Sequence, residues 1–423
     1  MKKCLDWLFI ALFIVSAGYA QSPEGILTHF TPLDDLGTGT YRGYQGGLYP
    51  NGLNLPPAAH SAAGISIAKQ IRPLDSLGVT DPVNGKIVLL SVGMSNTTQE
   101  FSFFKSMADT DRIKNPKLQI VDGAQGGQTA SIISNPAAPF WSIIDQRLWA
   151  SKVSAKQVQI VWFKEANANP TDPFPKHADV LVNQFVTIAQ IIRSRYPNIK
   201  IMYSSSRTYG GYATSKLNPE PYAYESAFAV KWFIEKQISG DTSLVYTGIN
   251  PRSPWLAWGP YLWADSLNPR SDGLIWQLDD FVTSDRTHPS PSGRLKVAQL
   301  LLGFLKTDPT AIPWFVQSEA TAVSGNHVAT PSKIILEQNY PNPFFHSTSI
   351  SFSLPKADHV TLKIFNFLGQ EIIRFIDDEL YDAGTHTIQF DSRTMTFALL
   401  PGVYFYQMTT SDYRELKRMV LMR

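Results

Sequence analysis

The sequence has 423 residues, a formal net charge of +2, 43% hydrophobic and 17% charged residues. A chain so close to neutral offers no electrostatic reason to bind nucleic acid or an anionic membrane. Its length exceeds the ~250 to 300 residues at which a single core stops growing, so at least two folded units are expected.

Met1 to Ala20 carries Lys2 and Lys3, then the apolar run Trp7 to Val15, then Gly18-Tyr19-Ala20. A basic start, a short apolar stretch and small residues before a cleavage point make this a secretory signal peptide. The one cysteine, Cys4, lies inside it. The mature chain is therefore expected to be exported and soluble, without disulfides, thiolate chemistry or a cysteine-based metal site. No later segment has the ~20 unbroken apolar residues of a transmembrane helix.

Residues 21–84 form an N-terminal segment of the first folded unit, whose regular pattern starts at residue 85. "KIVLLSV" (Lys86 to Val92), "LQIVDG" (Leu118 to Gly123), "VQIVWF" (Val158 to Phe163) and "IKIMYSS" (Ile199 to Ser205) are short apolar runs, predicted as buried strands of a parallel sheet. Between them and after them, His177 to Asn198 and Ala223 to Gly240 show helical spacing. Strands that alternate with helices predict an α/β fold over 85–306. Residues 307–332 lose this periodicity and are expected to be a linker. Over 333–423, "SISFSLP", "VTLKIFN", "THTIQFD" and "GVYFYQM" alternate apolar and polar residues, which predicts a small antiparallel β-sandwich.

Four of the eight histidines lie at or beyond residue 327. Of the others, His29 and His177 suit solvated or capping positions, and His60 has no carboxylate nearby in sequence. His288 differs. "SDRTHPSPSGRLKVAQLLLGFL" sets Asp285 three residues before it, on a loop leading into a helix with Ser290 as N-cap and Pro291 in the first turn. A serine hydroxyl becomes nucleophilic when a base removes its proton, and that base needs a carboxylate to fix its tautomer. Ser95, in "GMSN", follows the first strand, "GAQGGQTA" follows the second, Asn167 follows the third, and Asp285 and His288 precede the last helix. In an open parallel sheet the strand ends converge on one edge, so these residues are expected to meet there.

Between Pro254 and Trp276, Trp255, Trp258, Tyr261, Trp263 and Trp276 fall in a loop-like context. They either stack on sugar rings or fill a core beneath the loop. Lys164, Glu165, Arg207 and Tyr209 are further candidates to line a cleft. There is no H-E-x-x-H and no clustered His/Asp set outside the 285–288 loop, so no metal or other cofactor is expected.

Two resemblances follow from these motifs. The block order resembles the SGNH hydrolase (GDSL-type esterase) superfamily over roughly residues 85 to 305. Its usual Gly-Asp-Ser is replaced by Gly93-Met94-Ser95-Asn96, nearest the sialate O-acetylesterase and acetylxylan esterase branch. The resemblance implies a flavodoxin-like three-layer parallel-sheet domain with Ser95 as nucleophile, His288 as base and Asp285 orienting it. It also implies an oxyanion hole from the N–H groups of Ser95 and Gly127, with Gly126 the alternative, and the Asn167 amide. The implied substrate is an acylated carbohydrate, the alternative being a catalytically weak glycan-binding protein on the same fold. From "LEQNYPNPF" (Leu336 to Phe344) to the closing "RELKRMVLMR", the chain resembles the type IX secretion sorting domain. That implies an Ig-like sandwich, handling by the type IX machinery, and a secreted or outer-surface location in a Gram-negative bacterium.

Overall fold

A computed structural model describes residues 28–317 and 333–421, apart from 340, 341, 343, 345, 346, 367, 368, 393–398 and 401. The expected signal peptide, residues 318–332 of the expected linker, His327 and His346 lie outside the described residues.

In the first unit, five strands run parallel: β1 (Ile87–Gly93), β2 (Leu118–Asp122), β3 (Val158–Lys164), β4 (Ile201–Ser204) and β5 (Trp255–Trp258). Every residue of β1, β3, β4 and β5 is buried, which explains runs with no polar alternation: both faces of the sheet are covered. The covering helices are α1 (Ala58–Ala68), α2 (Ser95–Asp109), α3 (Pro139–Ala150), α4 (Lys176–Arg195), α5 (Tyr222–Ile238) and α6 (Pro291–Thr307). Helix α2 packs against α6 on one face and α4 against α5 on the other, the arrangement that right-handed crossovers require. The unit is a three-layer α/β fold with strand order β2-β1-β3-β4-β5. This is the flavodoxin-like order, in which the chain reverses direction across the sheet between β1 and β3. Folds of this order place their binding sites beyond the carboxyl ends of the strands at that reversal.

Two contacts fix that junction. Gly93 pairs with Lys164, and a Cβ on Gly93 would lie 2.3 Å from the Lys164 carbonyl oxygen and 2.5 Å from Thr97 Oγ1. Only glycine lets the strands close to this distance at the point where β1 turns into α2. The Lys164 ammonium then crosses to α2 and pairs with both Glu100 oxygens at 2.6 and 2.5 Å, with both side chains fully buried. Burial pulls the ammonium down to about 8, although the Glu100 carboxylate works to hold it up.

Two expectations are corrected. "WLAW" is the edge strand β5, wholly buried because the N-terminal segment lies over it. Trp258 Nε1 donates to the Leu48 carbonyl at 2.6 Å, the Tyr49 hydroxyl meets the Trp258 amide, and Asp265 accepts the backbone N–H groups of Thr28 and His29. The boundary at 306 also moves. A helical turn at Ile312–Phe315 buries Trp314 and Phe315 in the first unit's core, and the Asn115 and Gln317 amides tie it down.

The second unit is a sandwich of β6 (Ile335–Leu336), β7 (Ser347–Leu354), β8 (Asp358–Phe365), β9 (Glu371–Tyr381), β10 (Gly384–Asp391), β11 (Gly402–Thr409) and β12 (Arg414–Leu421). One antiparallel sheet has the order β9-β8-β11-β12 and the other β10-β7-β6. Ile350, Phe352, Val360, Leu362, Ile364, Tyr406 and Met419 fill the space between them. Strands β9 and β12 were missed in the sequence because they lie at a sheet edge and carry charge, which protects an edge from further pairing.

Two stability measurements follow. Gly93→Ala should cost ~1–3 kcal/mol in urea unfolding, because the new methyl group has nowhere to go. Lys164→Met should cost ~3–5 kcal/mol by leaving Glu100 buried and unpaired, and adding Glu100→Leu should recover much of that loss.

Candidate active site

Ser95 is the first residue of α2, set by the extended Met94 (φ −99°, ψ −161°) at the carboxyl end of β1. A first-turn amide has no intrahelical acceptor, so the Ser95 N–H is available where the helix dipole favours negative charge. The next two side chains face inward and anchor the turn. Thr97 Oγ1 donates to the Lys164 carbonyl at 2.6 Å, and the buried Asn96 Nδ2 donates to the Thr287 carbonyl at 2.9 Å.

That second bond brings in the 285–288 loop. Ser95 Oγ lies 2.7 Å from His288 Nε2, and His288 Nδ1 lies 2.6 Å from Asp285 Oδ2. A carboxylate cannot donate, so Nδ1–H donates to Asp285 and Nε2 of a neutral ring accepts the Ser95 hydroxyl proton. Asp285 Oδ1 accepts the amides of Thr287 and His288 at 2.8 and 2.9 Å. Burial works to raise the Asp285 carboxyl, but these backbone N–H groups and the imidazole outweigh it and hold the group below its ordinary value. The loop is braced further by Val282 N–H to the His288 carbonyl and by Ser290 N–H to the Asp280 carbonyl. Ser290 sits at the N-cap of α6, but its hydroxyl donates to the Asp279 carbonyl rather than capping the helix.

The remaining sequence candidates divide. Gly126 and Gly127 are exposed beyond β2, with the Gln125 amide bonded to the Gly93 carbonyl. A Cβ on Gly126 would lie 3.9 Å from the Ser95 Cβ, whereas one on Gly127, at φ +74°, would meet nothing within 4 Å. The Asn167 carboxamide accepts the Ser131 amide at 3.0 Å and donates to Gln184 Oε1 at 2.7 Å, so it is engaged with α4 and the segment after β2.

Lys164, Glu165, Arg207, Tyr209, Trp258 and Trp263 are all buried, which corrects the expectation that they face a cleft. Lys164 is spent on Glu100. Glu165 and Arg207 are buried near one another, and burial pushes the Glu165 carboxyl well above the carboxylate range although the guanidinium works to lower it. Trp263, 0% exposed, donates through Nε1 to Glu220 Oε1 at 2.7 Å, and Tyr209 packs edge-on against Tyr212. These rings fill the core under the N-terminal segment. Sequence reasoning placed Asn96 in the block around Ser95 but missed that its side chain holds the 285–288 loop, because its partner is 191 positions away. It also missed the contact of the half-buried His177 with the buried Glu225, 2.7 Å apart on α4 and α5.

Residues 338–422 match the family described as the secretion system C-terminal sorting domain. No curated protein matches the chain. Among solved structures, the chain is similar to protein YxiM from Bacillus subtilis (TM-score 0.28, 14% identity, 54% of this chain and 58% of that one). It is similar to the salicylyl-acyltransferase SsfX3 from a tetracycline biosynthetic pathway (TM-score 0.30, 14% identity, 55% and 58%). It is also similar to the periplasmic domain of a lipopolysaccharide acetyltransferase from Salmonella ser. Paratyphi A (TM-score 0.30, 13% identity, 58% and 94%). The chain thus spans less than two thirds of the length of the first two. Its last unit is a secretion system C-terminal sorting domain, which marks the protein for secretion or the cell surface.

Proposed function

We propose that the first unit is a serine esterase of the SGNH type that removes acyl groups, acetyl above all, from carbohydrate outside the cell. The observation that carries the reading is the unbroken hydrogen-bond chain from Ser95 Oγ through His288 to Asp285, with links of 2.7 and 2.6 Å. As Ser95 Oγ attacks the ester carbonyl carbon, its proton passes to His288 Nε2, and Asp285 stabilises the resulting imidazolium. Collapse of the tetrahedral intermediate breaks the bond to the alcohol, which leaves with the proton from His288. Water then attacks the acyl-serine by the same route in reverse roles, releasing the carboxylic acid and restoring the Ser95 hydroxyl.

The oxyanion is met by the Ser95 N–H at the start of α2 and by a backbone N–H from the exposed Gly126-Gly127 pair. The carbohydrate half of the proposal rests on the Gly-x-Ser-Asn form of the first block and on the export address, since acylated polysaccharides are abundant outside the cell. A second reading, a surface glycan-binding protein with little turnover, draws on one observation: the Asn167 amide is bonded to Gln184, leaving the oxyanion site with fewer free donors.

Hydrolysis, covalent labelling and the pH dependence of stability test this. The exported protein should hydrolyse p-nitrophenyl acetate and take up one fluorophosphonate per chain. Ser95→Ala should abolish labelling and lower turnover on the order of 10⁴-fold or more. Hydrolysis that survives Ser95→Ala would sink the mechanism, and glycan binding without labelling would favour the second reading. Asp285→Asn should lower kcat by about 10³- to 10⁴-fold. Because the Asp285 carboxyl is depressed, its ionised form stabilises the fold above the unfolded value of ~3.9, and the contribution is lost as pH falls through the lower folded value. The stability cost of Asp285→Asn in urea titrations should therefore shrink as pH falls below about 4, by this ~3.9 reference.

A further inference from the structure

A pocket of about 170 Å³ opens at the carboxyl edge of the sheet, with Asn167, Asn169, Asp172, His177, Asn218 and Tyr222 in its wall. Two segments join it to the Ser95 site. The first is the loop after β4: the Thr214 amide donates to the Asp285 carbonyl at 3.0 Å, and Ser215 Oγ meets Thr287 Oγ1 at 3.4 Å. Farther along the same loop, the Lys216 carbonyl accepts the Asn169 amide at 2.9 Å, and Asn218 Nδ2 donates to the Asn167 carbonyl at 3.2 Å. The second is the segment after β2, which passes Ser95 at Gly126 and then reaches Asn167 through the Ser131 amide. The pocket wall is formed mainly by the loop after β3 and by α4, and both of the segments that flank the triad bond to that loop, at Asn167 and Asn169, with Asn218 of the loop after β4 itself in the wall.

The lining chemistry is neutral and hydrogen-bonding. Three carboxamides converge on it, while the one acid, Asp172, is paired with Lys176 at 2.8 Å. His177 is held by Glu225, which the Tyr41 hydroxyl braces at 2.7 Å. Asn218 is 4% exposed, and among the described residues its Oδ1 accepts no hydrogen bond. A buried acceptor left in that state costs free energy that a ligand hydroxyl would restore. Tyr222 and Val180 add an apolar wall. Such a surface suits a polyhydroxylated ring: it holds no unpaired cation for an anion, and it sets carboxamides for the hydroxyls beside an apolar face of Pro170, Val180, Leu181 and Tyr222 on which the ring can rest.

We infer that this pocket is the subsite for the alcohol side of the scissile ester, and that it takes one sugar ring and hydrogen-bonds its free hydroxyls through Asn218. The inference rests on the esterase reading. The test compares kcat/KM of the full chain for mono-O-acetylated methyl glucoside and methyl xyloside with that for ethyl acetate, whose leaving group is too small to use the pocket. Asn218→Leu removes the acceptor. Val180→Trp fills the mouth from a helix position that is 40% exposed, where the fold tolerates the change. In both variants the ratio of glycoside to ethyl ester should fall at least tenfold, and a ratio unchanged in both overturns the inference. Should the native protein hydrolyse neither ester, the esterase reading falls instead. Calorimetric binding of the unacetylated glycosides then decides the pocket: binding that Val180→Trp removes upholds it, and no binding to the native protein overturns it.

Discussion

Gly93 lies against the Lys164 carbonyl with no room for a side chain, and the first unit is organised outward from that contact. It lets β1 and β3 stay paired to their last residues before β1 breaks into a helix. Three links then tie the first turns of α2 to the end of β3 and to the loop before α6. Thr97 takes the Lys164 carbonyl, Glu100 takes the Lys164 ammonium, and Asn96 takes the Thr287 carbonyl. A nucleophile at this point needs no mobile loop to present it. Its backbone is fixed by a strand on one side and by a helix locked to the neighbouring strand on the other.

The same economy governs the histidine loop. Asp285 spends one oxygen on two backbone amides and the other on the imidazole, so a single carboxylate both shapes the loop and orients the ring. Asn96 makes the position of that loop depend on the residue next to Ser95. The two halves of the hydrogen-bonded chain, 193 positions apart, are therefore held in register by a contact that involves neither reacting group.

What the sequence disclosed and what it hid follow a physical line. Strands buried on both faces read as unbroken apolar runs, so four of the five were visible. The fifth, "WLAW", has the same character, but the Gly-Pro that follows and its dense aromatics suggested a loop. Asp285 and His288 were legible because their interaction is local, three residues apart. Asn96, Glu100 and Lys164 were not: a lysine next to a glutamate at a strand end looks solvated until the distant partner that buries it is known. For the aromatic residues the sequence left two readings open, and their burial decides for the core. Their cover comes from residues 28–54, and nothing in the aromatic stretch announces it.

That cover has a temporal meaning. The bonds from Thr28 and His29 to Asp265 close a loop of more than 230 residues, and closing so long a span costs entropy that local contacts do not. The edge strand and its tryptophans cannot be sealed until the chain through residue 265 is present and both ends meet. Closure of the aromatic core of the first unit is therefore tied to contacts between two of its distant parts and not to any local signal within the aromatic stretch.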